Sequence, residues 1–123
     1  LFRSGPDKRL YRKHFLQLGG LGIRDLCVQE PSDLLILAGP TMDLDGPVKV
    51  FRWPGGAKPE KESLVWATWV RDVPYGKGVD HAEGMTLFSL KDGEPPALLI
   101  VYDAAKGRQT GETSTKADIF VLP

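Results

Sequence analysis

The sequence predicts an all-β fold of antiparallel strands, on three observations. Short runs rich in Val, Ile, Leu and aromatic residues recur along the chain: IRDLCV, DLLILA, VKVFRW, LVWATWV, GMTLFSL, ALLIVY and DIFVLP. The 14 glycines and 10 prolines cluster between them, at Gly19-Gly20, Gly39-Pro40, Gly46-Pro47, Pro54-Gly55-Gly56, Gly76 with Gly78, and Gly93 with Pro95-Pro96. Runs bounded in this way read as strands. No gap between them holds the roughly 10–15 residue helical pattern that a βαβ unit needs.

The elements follow in order. In DKRLYRKHFLQL, Tyr11, His14, Phe15 and Leu18 fit one helical face, while Leu10, His14, Leu16 and Leu18 fit one strand face. The surrounding β pattern favours the strand. GLGIRDL (20–26) sets a charged pair, Arg24-Asp25, at the entrance of an apolar strand. DLLILA (33–38) is apolar on both parities, as is ALLIVY (97–102). A half-exposed antiparallel strand alternates, so a strand apolar on both faces is expected to be covered on both. Without helices, other sheets must do the covering. VKVFRW and LVWATWVRDVP (64–74) complete the first set of strands.

That set returns. GLGIRD (20–25) and GVDHAE (78–83) have the same length, glycine first and acid last. DLLILAGP then answers ALLIVYDA, and VKVFRWP (48–54) answers ADIFVLP (117–123). The order is inner, second, third and outer strand, then a crossover. This predicts antiparallel four-stranded blades stacked as a partial β-propeller of about two to three blades. Residues 1–18 are then outer strand of a preceding blade, 19–74 the first repeat and 75–123 the second. The spacing of Asp25 and Glu83 exceeds the roughly 40–45 residues of a plain blade; the loop GGAKPEKES (55–63) supplies part of the excess. In this arrangement the first strand of each blade lines a central channel. Arg24 and Asp25 would face water there, Asp25 and Glu83 would occupy equivalent places, and Gly20, Gly22 and Gly78 would let the crossovers turn.

A chain of 123 residues suits one domain. Sixteen basic and 16 acidic residues balance without a one-signed run, which speaks against nucleic acid or an anionic membrane as partner. No apolar run approaches the roughly 20 residues of a membrane helix. The chain is expected to be soluble, its compartment open between cytoplasm and periplasm. The single cysteine, Cys27, excludes an internal disulfide and reads as a small buried hydrophobe.

Asp25, Glu83 and His81, with Arg24 beside them, form the best chemical cluster. Carboxylates converging on an axis suit Ca²⁺, a hard cation that takes 6–8 oxygens, so Asp25 and Glu83 are candidate metal ligands, and they also suit general acid–base work. The alternative is structural: the acids cap loops or pair with Arg24, and His81 hydrogen-bonds a turn. Asp43 and Asp45 in TMDLDGP hold part of a calcium-loop pattern and read as an Asx-type turn at a pocket mouth. GRQTGETSTK (107–116) lacks the order of a phosphate loop and reads as a hairpin loop. Trp53, Trp66, Trp69, Tyr102 and Phe120 read as packing between blades. No G-x-S-x-G, CxxC or HExxH occurs, so no catalytic residue is assigned.

GLGIRDL, LLILAGPTMDLDGP, DHAEGM, LLIVYD and KADIFVLP resemble a bacterial domain-of-unknown-function family of β-propellers, over nearly all of residues 15–123. The resemblance implies the C-terminal part of a longer protein and carries no catalytic residue, since the family has no established activity. Glu83-Gly84 and the placement of Asp25 are also loosely similar to phytase-like and calcium-dependent lactonase propellers. Two functions are therefore expected: a ligand- or protein-binding module with an acidic axial mouth, or part of a calcium-dependent hydrolase. Two and a half blades cannot close a ring, so the partner is expected to be a second copy or the remainder of the full-length chain.

Overall fold

The computed structural model describes residues 13–41, 46–59, 63–74, 81–89, 91–103 and 117–122. Among these it holds nine strands and no helix: β1 (His14–Gln17), β2 (Gly22–Gln29), β3 (Asp33–Gly39), β4 (Val48–Trp53), β5 (Ser63–Trp66), β6 (Thr68–Val73), β7 (His81–Phe88), β8 (Ala97–Asp103) and β9 (Asp118–Val121). The protein is all-β. One sheet has four strands in the order β2-β3-β4-β6, a second has three in the order β7-β8-β9, and both are antiparallel throughout. These sheets are consistent with blades of a propeller that is not closed.

Two features differ from the sequence expectation. LVWATWVRDV is not one strand. It divides at Ala67: β5 pairs with β1 in parallel register, Leu64 opposite Phe15, and β6 pairs with β4. The second sheet has three strands among the described residues rather than four.

Three layers result. Leu35, Leu37, Val48, Val50, Val70 and Val73 of the four-stranded sheet meet Met85, Leu98, Ile100 and Tyr102 of the three-stranded one, and Leu122 just past β9, in one apolar core. On the opposite face of the four-stranded sheet, Ile36, Ala38 and Phe51 pack with Leu18 and Leu16 beneath the β1–β5 pair. β3 is therefore buried on both faces, which is what its double apolarity demands. Full burial of a Leu or Ile side chain contributes about 1.5–3 kcal/mol, so this central strand is where most of the cohesion gathers.

The aromatic residues divide. Tyr102 is buried, Phe120 packs against the inter-sheet core and Trp53 against the other, where its ring lies 5.1 Å from that of His14. Trp66 and Trp69 do not pack between layers. Trp66 stands 71% exposed beside Phe15 and Leu64 on the outward face of the β1–β5 pair, and Trp69 is exposed on the edge strand β6. Parallel pairing with β1 turns the alternate residues of β5 outward, which no local pattern foretells.

Candidate functional site

The site lies where β2 and β7 run side by side. Each strand carries one β-bulge at its start. In β2 the ladder passes from Ile23 opposite Ala38 to Asp25 opposite Leu37, leaving Arg24 out of register. In β7 it passes from Ala82 opposite Tyr102 to Gly84 opposite Val101, leaving Glu83 out. A bulge re-aims the extra side chain. Here the two extra side chains meet: Arg24 Nη1 donates to Glu83 Oε1 at 2.5 Å. The residue equivalent to Glu83 is thus Arg24, and the place of Asp25 is taken in β7 by Gly84. Equal loop lengths had paired Asp25 with Glu83; the ladder shifts that match by one residue.

Backbone groups hold both charges. Arg24 Nη2 donates to the carbonyl of Pro40 at 3.0 Å, and its Nε is buried without a partner. The guanidinium crosses directly over Gly39, where a Cβ would fall inside it. Asp25 Oδ2 accepts the Met85 N–H at 2.8 Å and Oδ1 accepts the Leu26 N–H at 2.9 Å. A carboxylate so bonded ties β7 to β2, and such charge-assisted bonds contribute about 1.5–3 kcal/mol each. The side chain of Arg24 is only 12% exposed against 40% for Glu83, so the pair opens to water on the glutamate side.

Asp25 also acts on Cys27, two residues further along the same strand. Cys27 points into the inter-sheet core, and burial, then the charge of Asp25, push its thiol from 9.0 up to about 11. At neutral pH it is a protonated, inert core residue.

Arg24, Asp25 and Glu83 are brought together. His81 begins β7 opposite Asp103, but its side chain lies outside the described residues, as do Asp43, Asp45, Gly78 and the 107–116 loop. Gly20 has φ 85°, the left-handed conformation of a tight turn. Gly22 opens β2 instead, where a Cβ would come within 2.6 Å of Thr41 Cγ2. Among the described residues the donor set does not suit Ca²⁺. Glu83 is already paired with the Arg24 guanidinium, both Asp25 oxygens already accept backbone N–H groups, and no three described His, Cys, Asp or Glu side chains group around one point.

The sequence reading missed a second feature. At the far edge of the same inter-sheet joint, the Arg71 guanidinium lies 4.3 Å over the Phe120 ring, and Trp69 Nε1 donates to Asp72 Oδ1 at 3.1 Å. Alternation along TWVRDV places these groups on an edge strand, but nothing local tells that β9 lies beneath them.

Layered antiparallel sheets, joined through charged bulges on their first strands, define an all-β protein of stacked sheet modules. The chain belongs to the family described as protein of unknown function (DUF3616), whose model matches residues 1–118. Comparison with curated proteins and with solved structures gives no match. No helix among the described residues is long and apolar enough to cross a membrane.

Proposed function

We propose that the chain is a segment of a β-propeller serving as a ligand- or protein-binding module, with residues 19–74 and 75–123 as successive blades and 1–18 as the outer strand of a preceding one. The Arg24–Glu83 pair and Asp25 form the rim of its axial mouth. One observation carries this reading: the two sheets stack front to back rather than front to front. Ladder position makes Ile36 the counterpart of Ile100, since they oppose Leu26 and Met85, with Arg24 and Glu83 as counterpart bulges. Ile36 points to the layer before it and Ile100 also points to the layer before it, the four-stranded sheet. A sandwich has no need of that repetition; a ring of blades requires it.

The rim is of mixed sign, with Arg24 held and Glu83 half open, so the ligand it favours is polar and able both to accept from a guanidinium and to donate to a carboxylate. The alternative, a calcium-dependent hydrolase, draws support from no contact among the described residues. The open ends of the stack require a second copy or further chain to cover them.

Light scattering tests the reading. The chain is expected to be an assembled species, and its melting temperature is expected to stay put when millimolar Ca²⁺ is added. A cooperatively melting monomer would sink the blade reading, and a calcium-dependent rise lost in Asp25→Asn would restore the hydrolase.

A further inference from the structure

Among the described residues, the three-stranded sheet has no counterpart of the outer strand of its neighbour. In the four-stranded sheet the third strand, β4, is paired on its far side by β6. The counterpart third strand, β9, has β8 on one side and, among the described residues, no strand on the other. A free strand edge is a template for another strand unless charges, prolines or bulges blunt it. β9 is poorly blunted. Its one charged side chain, Asp118, takes the hydroxyl of Tyr102, its register with β8 is unbroken, and Ile119 and Val121 stand exposed, the latter at 65%.

Beside this edge lies a cleft of about 510 Å³, lined by Trp69, Val70, Arg71 and Asp72 of β6 and by Val121 and Leu122. A four-residue strand at ordinary strand and sheet spacings takes roughly 600 Å³. The cleft therefore has the size of one short strand.

We propose that the cleft is a strand-addition site: an extended peptide segment pairs antiparallel with the free edge of β9 and sets its apolar side chains beneath β6. β6 itself shows the chemistry of the occupant. In TWVRDV, Val70 and Val73 are buried in the inter-sheet core while Trp69 and Asp72 face out. The occupant is a segment of that alternation, with apolar residues at every second or third place and no net charge, matching a wall that carries one Arg and one Asp. The added strand gains affinity from main-chain hydrogen bonds and selectivity from its alternate side chains. This inference rests on the equivalence of the two sheets and not on closure of a ring.

The test uses the whole chain and a fluorophore-labelled synthetic peptide of residues 67–74, ATWVRDVP, followed by anisotropy. Saturable binding is expected, weakened about tenfold or more when alternate peptide nitrogens of the probe are methylated, and likewise by Val121→Lys, a change at an exposed lining position that leaves the thermal melt in place. Absence of saturation, equal binding of the N-methylated probe, or a dimer in light scattering that Val121→Lys dissolves would overturn the proposal. A chain that proves monomeric would sink the ring and leave peptide binding untouched, so the two failures are distinguishable.

Discussion

The four-stranded and three-stranded sheets are built around nearly the same central strand and bury it differently. In β3, Leu35 to Gly39 are buried throughout, because the β1–β5 pair covers one face and the three-stranded sheet the other. In β8, Leu98, Ile100 and Tyr102 are buried against the four-stranded sheet, while Val101 on the opposite face is 44% exposed. Ile119, directly opposite Leu99, and Val121, opposite Ala97, extend that open face. The two strands have the same apolar pattern, so the difference resides in the neighbours. A doubly apolar strand records that both faces are meant to be covered; whether the cover is present belongs to the assembly.

The largest expected effect tests this contrast. Leu35→Ala removes a side chain with no exposure from a site packed on all sides, and is expected to cost about 2–5 kcal/mol. Val101→Ala, on the open face, is expected to cost about 0.5 kcal/mol or less. Urea unfolding midpoints of the two variants, taken at one protein concentration, measure the difference. Similar losses would break the comparison and reveal that the outer face of the three-stranded sheet is covered in solution.

A smaller effect separates the two kinds of contact that join the sheets. Asp25→Ala leaves the Met85 N–H without its acceptor at a partly buried joint, at an expected cost of about 1–3 kcal/mol. Glu83→Gln keeps an acceptor for Arg24 at a side chain already open to water, at an expected cost of about 0.5 kcal/mol. Amide hydrogen exchange at Met85 should rise in the first variant and not in the second. If Glu83→Gln proves as costly as Asp25→Ala, the ion pair and not the backbone clamp holds the sheets together.

The strands themselves were legible because local composition decides them. Gly-Pro clusters bound the runs, and the double apolarity of DLLILA announces a strand between layers. Register was not legible. One extra residue in each of β2 and β7 moves the partner of Glu83 from Asp25 to Arg24, and a bulge leaves no mark on the spacing of apolar residues. The residue types of the site were visible in RD and AE; that the arginine lies across Gly39 and borrows the Pro40 carbonyl, 16 residues on, depends on the end of β3 closing over it. For the same reason the split of LVWATWVRDV could not be read, since β1, far back in the chain, selects β5 as its partner.

The smallest effect uses the one thiol as a probe of which face is covered. Cys27 opposes Leu35 and faces the inter-sheet core; its counterpart Thr86 opposes Leu99 and is exposed. Because burial first, and Asp25 second, raise the Cys27 thiol to about 11, the neutral form is favoured in the folded protein. Its contribution to stability is complete below the ordinary value of 9.0 and is lost as pH climbs from there through about 11. Alkylation by iodoacetamide should therefore be slow at pH 8 and rise with a midpoint near the upper value, and Asp25→Asn should lower that midpoint by less than exposure of the strand would. Moving the thiol by Thr86→Cys in a Cys27→Ser background should give fast alkylation at pH 8. Equal, slow alkylation at both places would mean that water reaches neither face, and the open sheet would then have to be drawn with a neighbour on it.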